Sequence, residues 1–182
     1  MGLVYIASVT ASSSATLEFT TGIDSTYNEY QFHYVNMHPA TDSVHFQFQV
    51  NADGASGFNE TITSSTFWAL HNEDNVYTYL AYRTGSDQAQ GTAYQRLIEH
   101  VGGASGMDDS SVSGVLTLYA PSSTTYVKHF TSRASGMFNG SPRAQDFYAA
   151  GYVNTTSAID EISFQFSSGN IDAGTIHMYG VG

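Results

Sequence analysis

The chain has 182 residues, of which 41% are apolar and only 12% are charged. Sixteen acidic side chains against one lysine and four arginines give a net charge of −11, which repels nucleic acid and anionic membranes, so neither is an expected partner. The absence of cysteine excludes disulfides, thiolate metal ligands and a cysteine nucleophile. The length suits one domain, and we expect residues 1–182 to fold as a single unit.

The first half of the chain predicts strands, because Tyr, Phe, Thr and Val favour a pleated surface and glycine and serine separate the runs. The apolar run 3–9 lacks a basic leader and is too short to span a membrane, so it is interpreted as a first strand. Further strands are predicted at 16–20 and 30–37. The run "VHFQFQV" alternates with period two, which places on one face Val44, Phe46, Phe48 and Val50 and on the other His45, Gln47 and Gln49.

The second half continues the pattern, with strands predicted over 76–83, 114–120, 126–133 and 147–153. The segment 93–101, "AYQRLIEHV", fits either a helix or a strand, and the sequence does not choose between them. Two more alternating runs, "EISFQFS" and "GTIHMYG", point inward with Ile162, Phe164, Phe166, Ile176 and Met178, and outward with Ser163, Gln165, Thr175, His177 and Tyr179.

About ten strands joined by Gly-, Ser-, Asn- and Asp-rich loops are typical of an all-β antiparallel sandwich or barrel. The segment 167–174, "SSGNIDAG", is interpreted as a hairpin loop that pairs the last strand with the strand before it. Its Gly169-Asn170 and Ala173-Gly174 pairs suit positive φ angles. The outward positions carry Gln, Thr, Ser, His and Tyr rather than Lys and Glu, which favours burial against further subunits and predicts a homo-oligomer.

Three stretches, 19–54, 113–133 and 149–182, resemble small structural proteins of tailed bacteriophages. The most specific pieces are "GIDSTYNEYQF" and "SSGNIDAGTIHMYGV". The resemblance implies a β-sandwich of jelly-roll type and a place in the virion, assembled in the cytoplasm of the bacterial host. It implies no catalytic residues and no cofactor.

Within that class, the expected function is capsid decoration, in which a cement protein bridges subunits of the major capsid protein or contacts other virion proteins. A fibre normally needs an attachment segment before its binding head, and the sequence shows one compact sandwich instead. The alternative is a tail-fibre or receptor-binding module that contacts a glycan on the host surface. Four aromatic residues, Trp68, Tyr77, Tyr79 and Tyr82, form either a sugar-stacking platform or part of the core or a subunit interface.

No enzyme is expected, because the chain has no G-x-S-x-G elbow and no carboxylate pair that its sequence singles out. No metal site is expected either, since the seven histidines form neither HExxH nor HxH. The acidic loops 72–74 and 107–109 offer oxygen ligands for Ca²⁺, but their spacing is not that of a calcium loop.

Overall fold

The computed structural model describes residues 2–103, 109–139 and 142–182. These residues are all-β, and their twelve strands are β1 (Leu3–Thr10), β2 (Leu17–Phe19), β3 (Glu29–Pro39), β4 (Val44–Ala52), β5 (Ile62–Asn72), β6 (Thr78–Tyr82), β7 (Gln95–Val101), β8 (Val112–Tyr119), β9 (Lys128–Met137), β10 (Arg143–Val153), β11 (Ile159–Phe166) and β12 (Ile171–Val181).

The strands form two antiparallel sheets that pack face to face as a sandwich. The larger sheet has eight strands in the order β1-β12-β3-β8-β9-β10-β5-β6, and the smaller has four in the order β2-β11-β4-β7. Without β5, β6, β9 and β10, the orders β1-β12-β3-β8 and β2-β11-β4-β7 are those of an eight-stranded jelly roll. The predicted jelly-roll sandwich is therefore confirmed, and two inserted strand pairs widen one of its sheets.

The core between the sheets is built mainly from aromatic side chains at alternate strand positions. Phe46 and Phe164 lie on adjacent strands of the smaller sheet with ring centroids 5.9 Å apart, and Phe32 of the larger sheet lies 5.7 Å from Phe164. All three side chains are fully buried. The predicted inward faces are confirmed, because the period-two alternation in each strand is also the alternation of burial.

Three local expectations are corrected by the structure. The segment 93–101 contains a strand, β7, which pairs with β4, so the helical alternative is wrong. The segment 167–174 is not a hairpin loop: β11 belongs to the smaller sheet and β12 to the larger one, so the chain crosses between sheets there. The third is β5, which was not predicted because its first half, Thr63–Thr66, consists of small polar residues typical of loops.

Two polar side chains predicted to face outward are buried. Gln49 and Ser163 oppose each other on β4 and β11, on the outer face of the smaller sheet, and both are fully buried. The segment before β7 covers them: the Tyr94 hydroxyl bonds to Ser163, and the Gln49 amide donates to the carbonyl oxygens of Thr92 and Ala93. The chain itself therefore closes part of the outer face of the smaller sheet.

The final strand is held on both sides, since β12 pairs with β1 and with β3. Gly169 and Gly174 adopt the expected positive φ values, 70° and 116°. Gly180 has a different role, because the ring of Tyr27 lies directly against it where a Cβ atom would stand. The last glycines of the chain thus serve backbone geometry and close packing rather than a hairpin turn.

Candidate interaction surface

The outer face of the eight-stranded sheet is the largest surface that the described chain leaves uncovered. One row of directly opposed residues crosses all eight strands, and its members are Tyr82, Phe67, Tyr148, Arg133, Val115, His33, His177 and Ser8. Every member of the row is exposed or half-buried. We call this surface the open face.

The open face carries few charges for a protein with a net charge of −11. The central row and its two neighbours contain two charged side chains, Arg133 and Asp146. Partial burial, together with the nearby His177, lowers the pKa of His33, which keeps that imidazole neutral at pH 7. The net charge across these rows is therefore close to zero, as in the centres of protein–protein interfaces.

Arg133 and Asp146 neutralise each other through a two-pronged ion pair, in which Arg133 Nε and Nη2 donate to the two carboxylate oxygens at 3.0 and 2.8 Å. These hydrogen bonds hold the pKa of Asp146 below its ordinary value. The Tyr148 hydroxyl also donates to Asp146, and the Tyr148 ring stacks on Phe67 with centroids 4.6 Å apart. The pair is thus fixed in place and presents a neutral, shape-defined patch.

A depression of about 460 Å³ lies beside this patch. It is open because the outward positions around it carry small side chains, among them Ala69, Ser113, Ser135 and Ala144. Arg133 and Asp146 form part of its wall. The open face therefore offers a shallow recess next to an aromatic pair, which suits a protruding side chain of a partner protein.

The four aromatic residues singled out in the sequence do not share one surface. Trp68 is 5% exposed and lies under the Arg83 guanidinium, whose carbon is 3.7 Å from the ring centre. Tyr82 stands on the open face opposite Phe67. Tyr77 and Tyr79 stack on each other with centroids 5.9 Å apart at the edge of the sheet. The core interpretation thus describes Trp68, and a sugar-stacking role stays a prediction for Tyr77 and Tyr79.

A buried ion network explains why Arg83 covers Trp68. The Glu99 carboxylate is 1% exposed and accepts hydrogen bonds from Arg83, Arg96 and Ser86. Burial opposes ionisation of Glu99, but the bonds from Ser86 and Arg83 outweigh it and lower its pKa. The network ties the segment after β6 to β7, so we assign it a structural role.

The predicted metal and calcium sites find no supporting geometry in the described ranges. Across 2–103, 109–139 and 142–182 there is no group of three His, Asp or Glu side chains that faces one point. Glu73 and Asp74 of the first acidic loop are exposed. The second loop, 107–109, lies outside the described residues apart from Asp109. No helix in the described part of the chain is long and apolar enough to span a membrane.

The sequence did not single out the residues that characterise the open face, Phe67, Arg133, Asp146 and Tyr148. A usable signal was present, because "DFYAAGYV" and "YVKHFTSR" both alternate with period two. Their outward positions become one surface only once β9 is placed beside β10 and β10 beside β5. That pairing is not written in either strand alone.

Comparison with known proteins gives little beyond the fold. No family model and no curated protein matches the chain. One similar solved structure, a Bacteroides ovatus protein described as "structural genomics, unknown function", is 6% identical with a TM-score of 0.31. The similarity covers 60% of this chain and 45% of that one. A likeness of this size carries no argument about function.

Proposed function

We propose that the protein is a non-enzymatic structural protein of a bacteriophage virion, a decoration protein that attaches to the capsid through the open face. The observation that carries the proposal is the combination of a large uncovered sheet face, a near-zero charge on that face and a net charge of −11 on the whole chain. The resemblance of three sequence stretches to phage structural proteins supports the virion as the setting.

The charge distribution suits a protein that must stay soluble alone and then dock. Acidic side chains elsewhere on the chain keep free copies apart in solution. The open face lacks that repulsion, and it combines aromatic side chains with small polar ones, as interface cores do. An eight-stranded sheet with strands about 4.8 Å apart is about 34 Å wide, which is enough for a standard-sized protein interface.

The first test is the number of copies per virion, measured by quantitative mass spectrometry of purified particles against the major capsid protein. A ratio near one copy per capsid subunit, or one per few, is the result expected for decoration. A few dozen copies or fewer per particle would contradict it and indicate a tail component.

The second test locates the contact. Ala150→Lys adds a positive charge to the open face, at an exposed position of β10. Ala55→Lys makes the same change on the exposed loop after β4 and serves as the control. When purified protein is added to particles that lack it, we expect Ala150→Lys to reduce binding at least about tenfold and Ala55→Lys to bind normally. Equal binding of both variants would exclude the open face as the attachment surface.

The alternative function, a tail-fibre or receptor-binding module, rests on a different part of the surface. The stacked rings of Tyr77 and Tyr79 are 38% and 46% exposed, and the Arg143 guanidinium carbon lies 4.8 Å from the Tyr77 ring centre. Exposed rings beside a hydrogen-bond donor suit a sugar ring. Binding of host cells or surface polysaccharide that is lost in Tyr79→Ala, together with a low copy number, is the result that this alternative predicts.

A further inference from the structure

The two sheets have four edge strands, and three of them carry features that oppose pairing with another strand. β2 has three residues, one of which is Glu18. β7 carries Arg96 and Glu99. β6 has five residues and is followed by Arg83. Short length and charge are the usual means by which an exposed edge avoids pairing with a second molecule.

The fourth edge, β1, has neither of these protections. It is eight residues long, and residues 2–17 include no charged side chain and no proline. Leu3, Val4 and Tyr5 are 49%, 44% and 57% exposed. In the described structure β1 pairs on one side only, with β12. A long, apolar, uncharged edge strand is a template for a further strand.

One irregularity limits where that strand can pair. The register between β1 and β12 shifts between Tyr5 and Ala7, which divides β1 into two regular stretches, 3–5 and 7–10. The three exposed apolar side chains all lie in the first stretch. An antiparallel partner centred on Val4 covers these three residues and avoids the irregularity at its centre.

We propose that β1 pairs with β1 of a second copy of this chain, antiparallel and about a two-fold axis near Val4. Leu3 of each copy then lies opposite Tyr5 of the other, and the two eight-stranded sheets join edge to edge into one sheet. This symmetric arrangement closes at two copies, since each copy uses the same edge.

A second copy fits this edge because the pairing is self-complementary. No like charges meet across the axis, although two chains of net charge −11 repel each other over most of their surfaces. The open face next to β1 continues the pattern, because the neighbouring outward residues of β12 include His177, Tyr179 and Val181. The pairing uses the sheet edge and leaves the open face available, so it is tested separately from attachment to the capsid.

The experiment measures molar mass by light scattering and sedimentation for the full chain and for variants of both edges. We expect the wild-type protein to shift from one chain to two between roughly 5 and 200 µM, because edge pairing buries less than a standard interface. Tyr5→Lys places like charges near the axis in both copies, and we expect it to raise the dissociation constant at least about tenfold. Leu80→Lys makes the same charge change on β6, where Leu80 is 72% exposed, and should leave dimerisation unchanged.

Added salt distinguishes this interface from an ionic one. The proposed contact contains no ion pair, so salt should strengthen it by screening the repulsion between two acidic chains. A dimer that dissociates as salt rises would contradict the proposal.

Cross-linking checks the register independently. The chain has no cysteine, so Val4→Cys introduces a single thiol at the proposed axis. Under mild oxidation we expect Val4→Cys to form a covalent dimer much faster than Leu80→Cys, although Leu80 is the more exposed position. Equal rates would overturn the proposal.

The same conclusion follows if the wild-type protein stays a single chain throughout that concentration range, if its mass exceeds two chains, or if Tyr5→Lys dimerises normally. Circular dichroism establishes that each variant is folded, and Leu3→Lys replaces Tyr5→Lys if that variant is not.

Discussion

Phe164→Ala tests whether the aromatic core holds the two sheets together. The Phe164 side chain is fully buried, and its ring centroid lies 5.7 Å from that of Phe32, 5.9 Å from Phe46 and 6.4 Å from Phe48. Truncation of a buried phenylalanine costs about 3–5 kcal/mol, and aromatic pairs add about 0.5–1.5 kcal/mol each. Since Phe164 has neighbours in both sheets, we expect a loss of about 4 kcal/mol in the free energy of unfolding.

Urea unfolding followed by circular dichroism measures this loss, with the m-value as a check that the transition stays two-state. A change of that size lowers the melting temperature by roughly 8–16 °C in a chain of this length. Tyr126→Ala is the control, because Tyr126 is 73% exposed and its truncation should cost less than about 0.5 kcal/mol. A loss below about 1 kcal/mol for Phe164→Ala would show that Phe164 does not lie between the sheets.

Three further changes test other parts of the structure. Gly180→Ala should destabilise the protein by about 1–3 kcal/mol in urea unfolding, because the added methyl group displaces the Tyr27 ring. Deletion of 174–182 should prevent folding, seen as loss of the β signal in circular dichroism, since β12 pairs with two strands. Burial and nearby positive charge lower the pKa of His45 to about 4, and its neutral Nδ1 accepts the backbone N–H of His100. Folding therefore favours neutral His45, so about 1–3 kcal/mol of stability should be lost as the pH falls from about 6.5 to 4, and His45→Gln should reduce that loss.

Each of these expectations has a clear contrary result. A Gly180→Ala protein as stable as wild type would mean that Tyr27 does not pack on that glycine, and Gly54→Ala is a comparison in which the added methyl group meets open space. A soluble, folded product of the 174–182 deletion would mean that β12 is dispensable. A pH profile of stability between 6.5 and 4 that is the same in wild type and His45→Gln would show that His45 is not the group that titrates.

The strand content and the inward faces were predictable from the sequence because they depend on local alternation. Val44, Phe46 and Phe48 repeat with period two, and a strand places alternate residues on one face whatever its partners are. The failure at β5 has an equally local cause. Ser64 and Thr66 lie among small polar residues that also suit loops, and they are satisfied inside the fold by Gln95 and by the carbonyl of Arg83.

The candidate surface was less predictable than the fold. The interest of Tyr77 to Tyr82 was visible from their composition, but which side of the sheet each ring takes depends on how β6 pairs with β5. Trp68 seemed available for a ligand until Arg83 and its partner Glu99 were placed over it. Side chains distant in sequence produced both outcomes.

The sequence by itself determined an acidic, cysteine-free, all-β protein whose aromatic residues alternate with polar ones. Only the tertiary structure decided which strands are neighbours, and with them the jelly-roll order, the open face and the unprotected edge of β1. The physical reason is that backbone hydrogen bonds in a sheet join segments far apart in the chain, as when β12 inserts between β1 and β3. Periodicity tells a strand which way its side chains point, but the choice of partner depends on packing across the whole molecule.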